Sequence, residues 1–526
     1  MNTPITHIES NLNLILTGFM GTGKTTIGKL VAERLGRRFL DMDQIIMIRT
    51  GRTVPELFRT VGEERFRALE AELCKEFSPP QGIVIATGGG ALVSEANYRT
   101  ITSQGNVVVC LTASFEALLP RLVASRERPL AQNSQAVAEL YRRREQAYRK
   151  IRIQLDTSNL EPTTIATAVI HLFDREVERH GLSTQVHNPS GVYDILCARN
   201  LLPKMRYLLA DYRLDGRIVV VTDENVAPLY GESLAASLPN ASLVTFPAGE
   251  VHKNLETINT LYAAFIEMGL DRSGVVIALG GGVVGDAAGY AAATYMRGVR
   301  LVQIPTSLLA MVDSSVGGKV GVDLPQGKNL VGAFKQPEMV LIDPNVLHTL
   351  DPVELRCGLA EVIKHGLIGD PGLLEHLDDI AAGDPTWLRR TIQVKVDIVE
   401  RDPYEHGERA HLNLGHTFAH AIEQVSGYAW RHGEAVGLGL VAATRLSEAL
   451  CNFSGAAQVE SLVQAQGLPT RWRGFDPEAL WQTMHTDKKW QSGQSRFVVL
   501  EAPGQPRIVR GVPREQVIDI LKSLEE

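Results

Sequence analysis

The sequence predicts an α/β protein of several domains, and three features of the chain indicate this fold class. Two stretches, residues 12–36 and 274–296, each contain an apolar segment, a glycine-rich turn and a helical pattern. That succession is typical of parallel α/β sheets. From about residue 351 the pattern becomes mainly helical, and the 526-residue length exceeds one ordinary hydrophobic core. We therefore expect roughly two to four domains.

The composition excludes several classes of protein. The net charge is -7, with 44% hydrophobic and 21% charged residues, which indicates a soluble globular protein without a broad nucleic-acid-binding surface. The five scattered cysteines form no CxxC pair, and the first residues lack a signal-peptide pattern, so we expect a cytoplasmic protein. Residues 274–296 are apolar, but Asp286 and six glycines favour a buried strand, turn and helix over a membrane span.

The first glycine-rich turn, "GFMGTGKTT", matches a phosphate-binding loop. Gly18, Gly23, Lys24 and Thr25 fit the pattern GxxxxGK[ST], with a predicted strand before and a helix after. The glycines allow backbone N–H groups to surround phosphate oxygens, the lysine reaches the outer phosphates, and the threonine can hold Mg²⁺. An ordinary glycine turn is the alternative, but the context favours the phosphate loop. The expected nucleotide contacts are Gly21, Thr22, Gly23, Lys24, Thr25 and Thr26.

Charged residues suited to a small anionic polyol follow this loop. Asp41 and Asp43 are two apart at a predicted strand end, and Arg67 and Glu70 share a helix face. Carboxylates can orient hydroxyl groups, and arginines can bind an acid group. The glycines of "IVIATGGG" permit close approach to the backbone. Arg128 precedes a proline, and "YRRREQAYRKIR" is a basic helix whose arginines are mostly expected to face solvent.

On these motifs, residues 10 to about 175 resemble shikimate kinase. The resemblance implies phosphoryl transfer from ATP with Mg²⁺, in which Lys24 contacts phosphate and Asp41 assists the magnesium ion. It also implies a lid, including Arg128, that closes over ATP. The implied shikimate contacts are Asp43, Arg67, Gly89 and Arg144.

A change in composition separates this region from the rest of the chain. Around "REVERHGLSTQVHNPSG" the helical pattern fades, and Ser, Thr, Asn, Pro and Gly accumulate. We therefore predict a first domain at residues 1–178 and a linker at residues 179–189.

The second glycine-rich turn, with Gly280, Gly282 and Gly285 in GxGxxG, is a weak signal alone. No acidic residue ends a strand about 20 residues later, which departs from the dinucleotide-binding fingerprint. The acidic residues come earlier, as Asp223 ends a predicted strand and Glu250 lies in "PAGEVHK". A strand-end aspartate accepts from a ribose 2′-hydroxyl and repels a 2′-phosphate, so NAD is favoured over NADP.

Charged residues are dense between the second glycine turn and residue 334. Arg297, Asp313, Lys319, Lys328 and Asn329 stand among glycines and apolar residues. Buried lysines need partners, so the set indicates a phosphate-bearing or acidic ligand. A surface-loop location remains a reasonable alternative for any one of them.

Two histidines in "HLNLGHTFAHAIEQ" raise the question of a metal site. His416 and His420 are four residues apart and share a helix face with Arg409 and Asn413. Both would be zinc ligands in a metalloprotease helix of the HExxH type. Thr417 occupies the position of the glutamate base in that motif, which argues against a metalloprotease.

Residues 190–526 resemble 3-dehydroquinate synthase across all of these motifs. The resemblance implies NAD and a catalytic Zn²⁺, with Co²⁺ as an alternative, bound by Glu361, His416 and His432, while His420 faces substrate. Val320 departs from the family, which usually has Thr after the lysine of GGK. The implied catalytic and substrate residues are Lys319, Lys364, Lys395, Arg409, Asn413, His420, Asn329, Arg297 and Lys488. The implied NAD-site residues are Asp223, Asn225, Glu250, Lys253, Gly282, Gly285, Asp286, Thr306, Ser307, Asp313, Lys319, Lys328 and Thr349.

The expected fold is therefore α/β, with a P-loop kinase domain built on a parallel sheet with flanking helices. A Rossmann-like NAD-binding α/β domain at residues 190–345 and a mainly α-helical metal and substrate domain at residues 346–526 follow it. The resemblances imply phosphorylation of shikimate to shikimate 3-phosphate, and cyclisation of 3-deoxy-arabino-heptulosonate 7-phosphate to 3-dehydroquinate with phosphate release. They also imply a homodimer through the second half, with no nucleic-acid or membrane partner.

Three alternatives remain open at this point. The second half could be a metal-dependent dehydrogenase of the glycerol type, although such enzymes usually supply Asp plus two His and lack the lysine series. It could also be another sugar-phosphate cyclase, acting on a different heptulose. Finally, both sites could serve only in ligand sensing, although Lys24, Asp43, Glu361 and His432 are intact.

Overall fold

The computed structural model describes residues 10–123, 134–486 and 495–526. The chain divides into two compact units, Met1–Leu182 and Ser183–Glu526. Each unit has its own parallel-sheet core with flanking helices, so the predicted α/β class is confirmed. No helix within the described ranges is both long enough and apolar enough to cross a membrane.

The first unit contains five strands and eight helices within its described residues. The strands are β1 (Leu14–Thr17), β2 (Phe39–Asp41), β3 (Val84–Ala86), β4 (Val107–Thr112) and β5 (Ile153–Asp156). The helices are α1 (Lys24–Leu35), α2 (Met42–Thr50), α3 (Val54–Thr60), α4 (Gly62–Glu76), α5 (Glu95–Thr102), α6 (Phe115–Val123), α7 (Ser134–Arg149) and α8 (Pro162–Leu182).

The sheet of the first unit is parallel throughout, in the order β2-β3-β1-β4-β5. All four residues of β1 are buried, as expected for a central strand covered on both faces. Strands β2, β3 and β1 are neighbours, so their carboxyl ends meet at one edge. The loops that leave these three ends are therefore brought together, which is the usual location of a ligand site in such sheets.

The predicted linker at residues 179–189 is wrong. Helix α8 continues to Leu182, and a strand begins at the next residue, Ser183. That strand pairs antiparallel with the one that follows it, and its Val186 is fully buried. Its polar composition suits an edge strand whose outer face meets solvent. The first unit therefore ends at residue 182 rather than 178.

The second unit contains eleven strands and twelve helices within its described residues. The strands are β6 (Ser183–Asn188), β7 (Gly191–Cys197), β8 (Ile218–Asp223), β9 (Ala241–Phe246), β10 (Val275–Gly280), β11 (Arg300–Pro305), β12 (Lys319–Leu324), β13 (Gly327–Phe334), β14 (Met339–Ile342), β15 (Arg496–Ala502) and β16 (Gln505–Arg510). The helices are α9 (Met205–Asp211), α10 (Glu232–Ser237), α11 (Leu255–Glu267), α12 (Gly282–Thr294), α13 (Pro352–Ile368), α14 (Leu377–Ala381), α15 (Pro385–Arg401), α16 (His416–Val425), α17 (His432–Cys451), α18 (Ala456–Ala465), α19 (Pro477–Thr486) and α20 (Arg514–Ser523).

Seven of these strands form the sheet of the second unit, in the order β6-β7-β14-β11-β10-β8-β9. Every pair whose register is defined is parallel except β6 with β7. Strands β11, β10 and β8 are neighbours, so their carboxyl ends form one edge. Two antiparallel hairpins, β12-β13 and β15-β16, lie outside this sheet.

The helical part of the second unit places polar groups inside a packed interior. Twelve consecutive residues of α13, Cys357–Ile368, are buried, so this helix is surrounded by other elements.

Helices α16 and α17 approach closely at Gly415, the residue before α16, which has φ +78°. A methyl group at Gly415 would lie 2.8 Å from the backbone nitrogen of Leu440. The glycine is therefore required for this close approach of α16 to α17.

Candidate active sites

The turn between β1 and α1 has the form of a phosphate-binding loop. Gly18 has φ +135°, a conformation that favours glycine. The Lys24 ammonium donates to the carbonyl oxygens of Gly18 at 2.8 Å and Phe19 at 3.0 Å, so its side chain folds back over the turn. Gly21, Thr22 and Gly23 form the turn itself, and Lys24, Thr25 and Thr26 form the first turn of α1.

Asp41 joins this turn to the end of β2. Its Oδ1 accepts from the backbone nitrogens of Asp43 at 3.1 Å and Gln44 at 3.3 Å, which caps α2. Its Oδ2 accepts from the Thr25 hydroxyl at 2.7 Å. Two hard oxygen donors therefore lie together beside the phosphate loop, which is the ligand chemistry that Mg²⁺ prefers.

The glycines after β3 are surrounded by the predicted shikimate contacts. A methyl group at Gly88 would lie 2.6 Å from both Asp43 Oδ1 and Glu70 Oε1, and one at Gly90 would overlap the Arg67 guanidinium. Arg144 Nη1 donates to the carbonyl oxygen of Gly89 at 3.0 Å. The structure therefore brings Asp43, Arg67, Gly89 and Arg144 together around one bare-backbone turn, where acid and hydroxyl groups could be bound.

Two further residues take part in this cradle. Glu70 is fully buried and binds Arg67 Nη1 at 2.7 Å, while Glu63 binds Arg67 Nη2 at 2.8 Å. Burial raises the pKa of Glu70 although Arg67 opposes the shift. The Tyr148 hydroxyl donates to the Gly89 carbonyl beside Arg144. The spacing of three between Arg67 and Glu70 and of four between Arg144 and Tyr148 was the available sequence signal.

Two predicted site residues, Arg128 and Lys488, lie outside the described residues.

The carboxyl edge of β8, β10 and β11 holds several of the predicted NAD contacts. Asp223 ends β8, and its Oδ1 accepts from the backbone nitrogens of Asn225 at 3.0 Å and Val226 at 2.9 Å. Thr306, which follows β11, donates from its backbone nitrogen to Gly280 at 2.9 Å. Residues Asp223, Gly282, Thr306 and Ser307 therefore lie at one edge of the sheet.

Gly282 and Gly285 have different neighbours. Gly282 begins α12 directly after the turn that ends β10. A methyl group at Gly285 would lie 3.0 Å from Gln303 Oε1, and the same glutamine donates to the Gly285 carbonyl at 3.1 Å. Gly285 therefore allows close packing of α12 on β11, whereas Gly282 begins the helix at the end where a phosphate could bind.

Lys253 is the centre of an acidic group near this edge. Its ammonium lies 2.7 Å from Glu250 Oε1, 3.5 Å from Asp286 Oδ2 and 3.8 Å from Asp323 Oδ1. Burial alone would lower the pKa of Lys253, but these three acids raise it. Burial raises the pKa of Asp286 to about 7.

The predicted contact Thr349 hydrogen-bonds the Tyr230 hydroxyl at 2.7 Å.

Glu361, His416 and His432 converge on one point. Glu361 Oε1 lies 3.5 Å from His416 Nε2 and 3.4 Å from His432 Nε2, and one donor atom from each residue lies within 4.8 Å of the others. One carboxylate oxygen and two imidazole nitrogens are the donor set of a catalytic zinc site and also suit Co²⁺. These residues therefore fit the implied metal ion.

The Nδ1 atoms of His416 and His432 also have oxygen atoms beside them, and these contacts orient the two rings. His416 Nδ1 lies 3.1 Å from the Leu414 carbonyl oxygen, and His432 Nδ1 lies 3.5 Å from Glu423 Oε2. Such contacts select the tautomer that presents Nε2 to a metal. Burial alone would lower the pKa of His432, but Glu361 and Glu423 raise it to about 9. Glu423 was missed in the sequence, although it ends the GHTxxHAxE pattern.

His420 lies next to this group but not within it. Its ring centroid is 5.8 Å from that of His416 and 6.4 Å from that of His432. The groups of acids and histidines close enough to bind a metal, among the residues described, do not include His420. This location agrees with the substrate role that the resemblance implies.

Asp313 lies between two of the lysines to which the resemblance assigns a substrate role, Lys364 and Lys395. It contacts Lys395 Nζ at 2.8 Å, Lys364 Nζ at 3.6 Å and His365 Nε2 at 3.6 Å. Lys364 also pairs with Glu361. Burial lowers the pKa of Lys395 to about 8, with Asp313 opposing the shift. Asp313, Glu361 and His365 form a second group with metal-ligand spacing. The Lys364 ammonium already pairs with both carboxylates of that group.

The segment before α16 carries two more residues to which the resemblance assigns a substrate role, Arg409 and Asn413. Arg409 is buried and donates to the carbonyl oxygens of Pro403 at 2.6 Å and Gly317 at 3.3 Å. Glu405 pairs with Lys319 and accepts from Asn413 Nδ2 at 3.3 Å. A carboxylate thus occupies donors that the resemblance assigns to an anionic substrate. Glu405 was also missed in the sequence, since nothing local marks it.

Two predicted catalytic residues, Arg297 and Asn329, are exposed on the surface of the second unit. Arg297 is exposed in the turn after α12, roughly 20 Å along that helix from Gly282. Asn329 is exposed on β13 and donates from its backbone nitrogen to Asp323 Oδ1 at 2.7 Å. Both residues are exposed, so the structure does not bring them into the buried group of lysines around Asp313.

Known families match both units. The family model for shikimate kinase matches residues 20–174, and those for the N-terminal and C-terminal parts of 3-dehydroquinate synthase match residues 243–357 and 358–490. The 3-dehydroquinate synthase of Symbiobacterium thermophilum is 47% identical over 309 residues, which is 55% of this chain and 85% of that protein. That of Neisseria meningitidis serogroup C is 46% identical over 335 residues, 61% of this chain and 93% of that protein.

A solved structure extends the comparison of the second unit. ValA, the 2-epi-5-epi-valiolone synthase of Streptomyces hygroscopicus subsp. jinggangensis, was determined with NAD⁺ and Zn²⁺ bound. It is 30% identical, with a TM-score of 0.59, covering 63% of this chain and 96% of that one. The fold that carries Glu361, His416 and His432 is therefore one that holds a nicotinamide cofactor and a metal ion in a similar protein.

Proposed function

Because this chain belongs to the 3-dehydroquinate synthase family and also contains a shikimate kinase domain, we propose that it catalyses two reactions of the shikimate pathway. The first unit transfers phosphate from ATP to shikimate, which gives shikimate 3-phosphate. The second unit converts 3-deoxy-arabino-heptulosonate 7-phosphate into 3-dehydroquinate and phosphate. The observation that carries the second assignment is the convergence of Glu361, His416 and His432, with the buried Lys364 and Lys395 beside them around Asp313.

In the second unit, each group of residues has a separate task. Glu361, His416 and His432 would hold Zn²⁺, or Co²⁺ in its place, and the edge with Asp223 would hold NAD. When bound, NAD would supply a reversible hydride acceptor, and the metal would supply a Lewis acid that lowers the pKa of a bound hydroxyl group. The lysines around Asp313, together with Arg409, Asn413 and Lys319, bind and orient the carboxylate and phosphate of the substrate. Orientation and electrostatic stabilisation are the main contributions of these residues.

In the first unit, binding and charge stabilisation account for catalysis. The phosphate loop and Lys24 hold the outer phosphates of ATP, and Thr25 with Asp41 would bind Mg²⁺. Arg67 and Arg144 bind the carboxylate of shikimate, and Asp43 orients its hydroxyl groups. Phosphoryl transfer needs little covalent chemistry from the protein, so correct placement of these groups is sufficient.

The alternative functions are less well supported. A glycerol-type dehydrogenase would use Asp and two His, whereas this centre has Glu and two His, with lysines beside it. A different sugar-phosphate cyclase is also disfavoured, since identity is 47% to a 3-dehydroquinate synthase and 30% to the valiolone synthase. We also propose that the second half forms a homodimer, which the solution mass of the purified chain would test.

The decisive assay follows phosphate release from 3-deoxy-arabino-heptulosonate 7-phosphate with Zn²⁺ and substoichiometric NAD. We expect many turnovers per NAD and no accumulation of NADH, because the hydride returns in each cycle. Accumulation of NADH in proportion to product would favour the dehydrogenase. Turnover only with a different heptulose phosphate would favour another cyclase. The first unit is assayed separately, as shikimate-dependent formation of ADP.

A further inference from the structure

A chain of charged side chains connects the predicted NAD edge with the metal centre. Lys253 Nζ lies 2.7 Å from Glu250 Oε1, and the same oxygen lies 3.8 Å from Lys328 Nζ. Lys328 Nζ lies 2.9 Å from Glu423 Oε1, and Glu423 Oε2 lies 3.5 Å from His432 Nδ1. The five residues alternate in charge up to the imidazole, so no link joins two groups of like charge.

Glu423 lies on α16 and contacts side chains from two other elements of the second unit. Its side chain is 2% exposed, and each carboxylate oxygen has a different partner, one from β13 and one from α17. Removing one partner of a buried charge is costly because the other charge stays buried. Glu423 therefore holds Lys328 and His432 in fixed positions at the same time.

Helix α16 carries Glu423, and the hairpin β12-β13 carries Lys328. His416 and Glu423 are seven residues apart on α16, so they share one face of that helix. Lys328 belongs to the hairpin β12-β13, which packs on α12, the helix that begins at the glycine turn. A movement of the hairpin towards or away from the NAD edge would therefore change the position of the Glu423 carboxylate.

We propose that Glu423 is a positioning residue that couples NAD binding to metal binding through Lys328 and His432. The proposal rests on the proposed function of the second unit. A cofactor that orders Lys328 and Glu250 also orders Glu423, which in turn fixes the His432 ring with Nε2 towards the metal. Contacts of this kind change metal affinity by about 10- to 100-fold. By thermodynamic reciprocity, the factor by which NAD raises zinc affinity must equal the factor by which zinc raises NAD affinity.

Two affinities of the full chain measure this coupling. Zinc affinity is determined by competition with a chromophoric chelator, in the absence of NAD and at saturating NAD. NAD affinity is determined by calorimetry on the metal-free and zinc-loaded protein. For the native chain we expect NAD to raise zinc affinity by at least about fivefold, and zinc to raise NAD affinity by an equal factor.

Three variants separate coupling from general damage. Glu423→Gln keeps the size of the side chain, but its uncharged amide has one acceptor oxygen and cannot accept from both Lys328 and His432, so the coupling factor should fall to about one and zinc affinity without NAD should fall roughly tenfold. Lys328→Met should also remove the coupling, and its partly exposed side chain makes it tolerant to replacement. Gln424→Ala, on the exposed face of the same helix, should leave the coupling factor at the native value.

Each result decides for or against the proposal. Equal zinc affinity with and without NAD in the native chain would overturn it, as would full coupling in either Glu423→Gln or Lys328→Met. If Glu423→Gln does not fold, the coupling factor of Lys328→Met decides alone. A native chain that binds neither NAD nor zinc would contradict the proposed function itself. Independent binding of both would contradict only the coupling.

Discussion

The two histidines of α16 look equivalent in the sequence, but their surroundings differ. We expect His416→Ala to remove one of three metal ligands, so that the protein purifies with little zinc. We expect His420→Ala to retain about one zinc ion per chain and to lose most synthase activity, because a charge-assisted contact contributes about 2 kcal/mol. Elemental analysis of the purified variants distinguishes the two residues without any kinetic measurement.

The opposite pattern would reverse the assignment. Zinc retained in His416→Ala and lost in His420→Ala would make His420 the ligand. Loss in both would mean that one helix face supplies two ligands. Thr417→Ser, between them and buried, is the matched control and should retain zinc.

Lys395 gives the synthase a predicted dependence on pH. Burial lowers its pKa to about 8, so the ammonium is charged below that pH and neutral above it. Because kcat/KM reports the free enzyme, kcat/KM should fall as pH rises through about 8 if the charged lysine binds substrate. Lys395→Gln should have a lower kcat/KM without this descending limb. A descending limb that persists in the variant would assign the titration to another group.

Glu405 is expected to compete with the substrate anion. It pairs with Lys319 and Asn413, which are expected to bind substrate. Exposed ion pairs contribute about 0.2–1 kcal/mol, so Glu405→Gln should strengthen competitive inhibition by inorganic phosphate by up to about fivefold. Glu408→Gln, whose carboxylate binds Arg401 instead, is the control. Unchanged or weaker inhibition by phosphate in Glu405→Gln would show that the carboxylate does not occupy the anion position.

The three residues of the proposed metal centre were recognisable in the sequence, but the residues that support them were not. Glu361, His416 and His432 belong to local motifs, each recognisable within a few residues. Glu405 and Glu423 act on lysines 86 and 95 residues away, and a single sequence does not show such contacts. His365 was visible beside Lys364, but its pairing with Asp313 depends on the packing of α13 against the turn before β12.

At the scale of elements, the junction between the units is the feature that the sequence predicted least well. Its Ser, Thr and Asn residues suggested a linker, because local composition does not report that β6 has a partner strand. The strong elements, such as β1 with α1 and β10 with α12, were predicted because apolar strand, glycine turn and helix occur in immediate succession. The polar edge strand β6 is not followed by such a glycine turn and helix, so its sequence does not distinguish it from a linker.

The junction therefore determines where the second unit can begin. A fragment starting at Ser183 should be soluble and well folded. A fragment starting at residue 190 lacks β6, the buried Val186 and the 2.6 Å bond from the His187 nitrogen to Glu400, and exposes the edge of β7. We expect a loss of at least about 3 kcal/mol in unfolding free energy, measured by denaturant unfolding. Equal stability of the two fragments would mean that β6 contributes nothing.

At the scale of the whole molecule, the two reactions are not consecutive. Conversion of 3-dehydroquinate into shikimate requires loss of water and a reduction, and the two proposed activities provide neither. Each unit has its own core and its own set of site residues. Direct transfer of a product between the sites is therefore not expected, and synthesis of both enzymes in a fixed ratio is the simpler benefit of one chain.

The central claim is that one chain holds two independent active sites. The most direct test measures both reactions on the native chain, on Lys24→Met and on Glu361→Gln. We predict that Lys24→Met abolishes shikimate-dependent ADP formation and leaves phosphate release from the heptulosonate phosphate unchanged. Glu361→Gln should do the reverse, since it removes a metal ligand from the second unit only. Loss of both activities in either variant, or absence of either activity from the native chain, would contradict the claim.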